Sequence, residues 1–224
     1  MKVRSIVVIG GVIVLAMLAV SAWAWPQIPA DAQIPIHWGP DGQVDGYGPK
    51  WVGLLGLPAV ALAIVGLLAV IPRFEPRRAN LERSSTAYVA IALTVVGLFA
   101  VLHVVAVMAA LGSDINTTTV ALAGTGVLFV VMGNFMGKTR SNWFFGIRTP
   151  WTLSSDRSWT QTHRLGGWLF IAIGIAVLVA TLAFGPGVAL WIMVGGLAVS
   201  VIGLFAYSYV VWRDDPARQT GVSR

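Results

Sequence analysis

The 224-residue chain has no cysteine and little charge, with Lys, Arg, Asp and Glu together at 11%. Without thiols there is no disulfide, no thiolate metal site and no cysteine nucleophile. The scarcity of charge reaches further. Soluble domains carry roughly 25% charged residues. A chain that is 57% hydrophobic with a mean hydropathy of +0.79 lacks the polar surface to enclose its own apolar side chains in water. Reaction-centre patterns are missing as well: no nucleophile elbow, no phosphate-binding loop and no pair of carboxylates within a hydrophobic stretch. Gly124, Thr125 and Gly126 have neither the third glycine nor the strand context of a dinucleotide fold. No catalytic residue is assigned, and no cofactor is expected.

What is present is a set of long apolar runs. A spanning helix needs about 20 such residues, and six stretches meet that need: 5–25, 51–71, 86–111, 117–136, 165–184 and 188–212. None has Lys, Arg, Asp or Glu in its interior. The last two are separated by Gly185, Pro186 and Gly187, a turn through which neither helix continues. The expected fold is an all-α membrane protein with an ordered extracellular loop, 26–50, and a structured cytoplasmic loop, 137–164. The first run also reads as a signal peptide, with Lys2 and Arg4 before it and Ala22, Trp23 and Ala24 at its end. Its length favours retention as a span.

Cytoplasmic loops retain Lys and Arg. One side holds Lys2 and Arg4, then Arg73, Arg77, Arg78 and Arg83, then Lys138, Arg140, Arg148, Arg157 and Arg164, and finally Arg213, Arg218 and Arg224. Lys50 stands alone on the other side, with Asp31, Asp41, Asp45 and Asp114. Both termini are therefore expected in the cytoplasm, in a cell membrane. The net charge of +6 is assigned to lipid headgroups rather than to nucleic acid, since the cations sit beside spans. Most of the ten tryptophans gather near the predicted interfaces and read as anchors.

Three places could carry function. The outer loop presents Pro35, His37, Trp38, Asp41 and Asp45 in a Pro/Gly-rich segment, either as a folded cap or as a docking surface that attracts cations. The cytoplasmic segment 133–167 mixes Asn134, Lys138, Arg140, Asn142, Arg148, Thr149, Trp151, Asp156, Trp159, His163 and Arg164. Ordinary positive-inside charge explains the cations, but not the uncharged polar residues, which suit specific hydrogen bonding to a partner. Ser154 and Ser155 can cap a helix running on into the fifth span, with Asp156, Trp159 and His163 on one face. Gly133 and Gly137 have the spacing of close helix approach.

His103 lies inside the third span. It is either a coupling group in a small transporter or a structural imidazole bonded to Thr94, Thr125 or a carbonyl of a neighbouring helix. Topology puts His37, His103 and His163 at three different depths, so no metal site is expected. An acid–base pair of Asp156 and His163 rests on their shared face alone.

The cytoplasmic pattern resembles the SdpI family of bacterial membrane immunity and signalling proteins. The resemblance runs through Gly133 and Asn134, Asn142, the run Gly146, Ile147, Arg148, Thr149, Pro150, Trp151, Thr152 and Leu153, then Trp159, Thr162, His163, Arg164, Gly166 and Gly167. The outer run Ile34, Pro35, Ile36, His37 and Trp38, with Asp41 and Gly42, is similar to a small N-terminal domain of unknown function often fused to that family. The resemblance implies six spans, protection against a secreted peptide toxin and recruitment of a cytoplasmic transcriptional repressor. It divides the chain into an N-terminal module, 1–80, a four-helix module, 81–212, and a tail, 213–224.

Overall fold

The computed structural model describes residues 3–39 and 43–219. Asp41, Lys2 and Arg224 lie outside the described residues. Helix α1, Val3–Ala24, ends in a 3-10 turn, Trp25–Gln27, and leads to strands β1, Gln33–Trp38, and β2, Val44–Pro49. Then come α2, Lys50–Phe74, the short α3, Arg78–Arg83, α4, Ser85–Ala110, and α5, Thr117–Met136. The chain closes with α6, Pro150–Ser154, α7, Asp156–Ala183, α8, Pro186–Arg213, and α9, Pro216–Gln219. Six of these helices are long and apolar enough to cross a membrane. Leu182, Trp191, Val199 and Ile202 are largely exposed on them, as lipid-facing side chains are.

The chain alternates between two ends of the bundle. One carries the strands and the connections 111–116 and 184–185, and is called the hairpin end; the other carries 75–84, 137–155 and 214–219, and is called the basic end.

Where described, the segment 26–50 takes a form that the sequence did not show. It is an antiparallel hairpin, with Ile34 opposite Gly48 and His37 opposite Gly46. A two-stranded ribbon has two edges, so Pro35 removes no ladder bond that the sheet requires. Ile34 fixes the ribbon to the helices, buried with Ala24, Ile28, Leu54 and Val107.

Helices α1, α2 and α4 pack as one group, α5, α7 and α8 as another, and α4 touches α5 between them. Lipid tails are as apolar as Leu, so helix association in a bilayer relies on close packing and polar contacts. The α5–α7 crossing uses glycines at two levels. A Cβ on Gly133 would lie 2.5 Å from the Gly167 carbonyl oxygen, and one on Gly174 would lie 2.6 Å from that of Gly126.

The α2 contacts are of the polar kind. Pro58 and Pro72 lie within that helix, and a proline has no N–H for the carbonyl four residues earlier. The two carbonyls left without donors are those of Leu54 and Leu68. Ser21 Oγ on α1 donates to Leu54 O at 2.6 Å, and Tyr88 Oη on α4 donates to Leu68 O at 2.6 Å. Two hydroxyls on neighbouring helices thus complete the backbone of α2, where no water could.

Candidate functional site

At the basic end, the residues expected to face a partner divide into a buried framework and an exposed rim. Asn142 is fully buried. Its Oδ1 accepts from the N–H groups of Phe144 (3.0 Å) and Phe145 (2.9 Å), and its Nδ2 donates to Arg140 O at 3.0 Å. One side chain therefore folds the turn at 140–145. Thr149 caps α6 in a reciprocal pair with Thr152, and Pro150 fills the first helical position, where a missing N–H costs nothing. Thr149 Oγ1 also reaches Ser208 Oγ on α8 at 3.0 Å.

His163 receives the Ile147 N–H on Nε2 at 2.8 Å and directs Nδ1 at Trp159 O, 2.8 Å away. These partners assign the Nδ1–H tautomer, because one offers a hydrogen and the other a lone pair. The imidazole stacks on Trp159 with centroids 3.9 Å apart. Trp159 donates from Nε1 to Thr139 O at 3.0 Å and is 1% exposed. Trp159 is therefore a core residue rather than an interfacial anchor. Gly146 turns the chain over this pair at φ +108°, where a side chain would strike His163 Nε2. Ser155 caps α7, as its position suggested, but Asp156 is exposed while both His163 nitrogens are engaged elsewhere. The shared face does not bring acid and base together.

Several residues that sequence reasoning passed over complete this lattice. Glu75, buried at the end of α2, accepts from the backbone N–H groups of Arg77 (2.8 Å) and Trp143 (2.9 Å). Arg77 donates to Ser141 Oγ and, at 2.8 Å, to Leu153 O. Asn80 donates to Ser141 O at 2.9 Å. Ser155 donates to Asp215 Oδ2 at 2.5 Å, which ties the segment after α8 to the start of α7. A signal existed for Glu75: it is an acid directly before Pro76, at the end of a span and among Arg73, Arg77 and Arg78. Of its partners, Arg77 is local, but Trp143 is 68 residues away and nothing local names it.

The exposed rim holds Asn134, Lys138, Arg140, Arg148 and Arg164. Arg148 donates to Trp143 O at 2.5 Å. Among the described residues, Lys138, Arg140 and Arg164 have no carboxylate partner. Trp151 is half-buried, with its ring against Phe205 and Tyr209.

At the hairpin end, His37 Nδ1 donates to Asp45 Oδ1 at 2.5 Å across the strands, and both side chains are more than half exposed. Lys50 is buried: its Nζ donates to Ile28 O at 2.6 Å and lies 4.9 Å from the Trp25 ring centroid. Under β1 is a cavity of about 620 Å3, lined by Pro35, Ile36, His37 and Trp38 above and by residues of α2, α4 and α5 around it.

His103 lies off that cavity. It is fully buried, with Nε2 at 3.0 Å from Ser21 Oγ and 3.1 Å from Met17 O. Since Ser21 gives its hydrogen to Leu54 O, it receives one from His103, and the relay links α4, α1 and α2. Of the partners considered from sequence, the neighbouring carbonyl is found. Thr94 and Thr125 instead bond to carbonyls of their own helices.

Six apolar helices, capped by a ribbon at one end and closed by a polar lattice at the other, define a multi-pass membrane protein. Its lattice segment and its ribbon each match a known family. Residues 138–208 match the SdpI/YfhL protein family and residues 12–62 match DUF1648, a domain of unknown function. The segment that matches the SdpI/YfhL family thus follows one that matches DUF1648. It is 27% identical over 112 residues to "Immunity protein SdpI" of Bacillus subtilis (strain 168), covering 49% of this chain and 53% of that protein. The matched region thus spans about half the length of that relative. No solved structure matches.

Proposed function

We propose that the chain is an immunity and signal-transduction protein of a bacterial cell membrane, with the hairpin end outside and the basic end in the cytoplasm. The observation that carries this reading is a coincidence of position: most of the family-matching segment 138–208 is the lattice and the two helices that hold it. The similarity to an immunity protein supports the protective role. In the sequence, fourteen of the fifteen Lys and Arg residues fall in segments on one side of the spans, which supports the orientation.

In this reading a secreted peptide toxin meets Pro35, His37, Trp38 and Asp45, with Asp41 nearby in sequence. A cytoplasmic repressor meets the rim of Asn134, Lys138, Arg140, Arg148, Asp156 and Arg164. Asn142, Thr149, Trp159 and His163 hold the rim in shape. Residues 1–80 act as the receiving module, 81–212 as the transmitting module and 213–224 as its tail. Helix α2 is the physical link, because β2 runs directly into Lys50 and the far end of the helix is followed by Glu75 and Arg77. The peptide drives the change by binding one arrangement of α2 better than another. The test is expression in a host killed by such a peptide. Survival is expected; unchanged killing with the protein present in the membrane would refute the protective role. Arg148→Ala with Arg164→Ala should retain survival and lose repressor recruitment to the membrane fraction.

A further inference from the structure

The cavity under β1 is a side groove between the two helix groups. Val52 and Gly56 of α2 form one wall, Thr117 and Ala121 of α5 the other, and Leu102 and Ala106 of α4 the floor. A Cβ placed on Gly56 meets nothing within 4 Å, so there is room beside α2. Thr117 is 6% exposed and its hydroxyl has no partner, because it stands at the first position of α5 without a helical carbonyl four residues back. Thr125, two turns further into α5, has such a carbonyl and bonds to Ala121 O. The exposed surface of the hairpin end is acidic. Asp31, Asp45 and Asp114 are exposed there, and Lys50 is buried against Ile28 O and Trp25. His37 lines the groove while holding Asp45, so one acid stands at its mouth.

We propose that this groove seats the apolar segment of a membrane-active peptide, with a cationic end of that peptide lying against the acidic surface. The inference deepens the immunity reading and rests on it. A phospholipid would fill an apolar slot equally well and has ester carbonyls for Thr117, but its cation is accompanied by a phosphate anion, so it brings no net positive charge to Asp45. A peptide brings both the charge, through a lysine or arginine, and the acceptor, through its backbone carbonyls.

The absence of cysteine allows a clean test in neutral phosphatidylcholine vesicles. A polarity-sensitive fluorophore is attached at Ala121→Cys in the groove and, separately, at Ala198→Cys on the lipid-facing side of α8. The probe is a synthetic 20-residue Leu/Ala peptide ending in two lysines, compared with one ending in two glutamates. The Lys-ended peptide should shift emission saturably at 121 and not at 198. Its affinity should exceed that of the Glu-ended peptide, and Asp45→Asn should lower it about threefold, as removing one exposed charge contact does. Gly56→Leu should abolish the shift. Parallel shifts at 121 and 198 would mean partition into lipid and would overturn the proposal, as would equal affinity for the two peptides. A shift at 121 that grows with protein density alone would assign the groove to a second copy and also overturn it. If the native chain protects the sensitive host and Gly56→Leu protects equally, the groove proposal fails while the immunity reading stands. If the native chain does not protect but the saturable shift persists, the groove stands and the immunity reading fails.

Discussion

The two ends of the molecule treat polar side chains in opposite ways. At the basic end, Asn142, Thr149, Thr152, Trp159 and His163 are buried and bonded within the chain, and the backbone of 139–153 is held by Glu75, Arg77, Asn80 and Ser84. At the hairpin end, His37 and Asp45 meet each other in the open, and Thr117 meets no one. Buried polar groups are costly unless bonded, and a bonded network favours one conformation. At the basic end the Thr162 hydroxyl is buried without a partner, but the side chains named for that end are all bonded. The basic end therefore has the character of a fixed shape that displays cations. The hairpin end buries and bonds Lys50 but leaves His37 and Asp45 exposed and the Thr117 hydroxyl unpartnered. In the proposed function the available groups would receive the peptide and the fixed shape would meet the repressor.

The strongest way to break the contrast is at the helix crossing beneath the lattice. Gly133→Ala should cost about 2 kcal/mol or more, since the new methyl meets the Gly167 carbonyl, a rigid backbone atom. Gly195→Ala, whose Cβ meets nothing, should be neutral or stabilising by up to about 1 kcal/mol, the ordinary Gly-to-Ala helix preference. Thermal unfolding in detergent micelles compares the two, and equal melting temperatures would refute the assigned crossing.

His163→Ala should come next, at about 2 kcal/mol, because it leaves the Ile147 N–H and the Trp159 ring without partners. Limited proteolysis of 137–155 should accelerate while cleavage in the hairpin does not change. A loop equally resistant in the variant would show that the lattice does not depend on the imidazole.

The six spans and the two ends were legible because bilayer thickness and loop charge act on long stretches, which a single sequence displays directly. The helix from Ser155 into the fifth span was legible for a related reason: capping is local, and the partners lie within three residues. The hairpin was not. Its strands are six residues each, Pro35 and the glycines suggested turns, and the tie that orients it is the burial of Ile34 against distant helices. The character of the basic segment was half legible. Its uncharged polar residues did signal specific hydrogen bonding, but the partners are mostly the chain itself. Glu75 with Trp143 and Thr149 with Ser208 join residues 68 and 59 positions apart, and no local spacing encodes such pairs. His103 shows the same limit, since Ser21 is 82 residues away.

The proline carbonyls of α2 sharpen the comparison from within the membrane. Tyr88→Phe removes the donor to Leu68 O near the basic end, and Ser21→Ala removes the donor to Leu54 O near the hairpin. Each should cost about 1 kcal/mol, the usual scale of interhelical hydrogen bonds in membranes. Ser21→Ala should cost slightly more because His103 also loses a partner. Ser21→Thr keeps the hydroxyl and should recover most of the loss. No recovery would mean that packing, and not the bond to Leu54, is what Ser21 supplies.

The smallest effect on stability is expected at the hairpin, where the largest effect on function is expected. His37 and Asp45 are exposed, and an exposed pair contributes under about 1 kcal/mol. Asp45→Asn should therefore leave the melting temperature almost unchanged, which excludes misfolding as the cause of any lost activity. If the hairpin end receives the peptide, the same variant should protect a sensitive host at several-fold lower peptide concentration than the native chain does. Unchanged protection would assign the pair to capping the helix ends, and the receiving role would then have to lie elsewhere on the molecule.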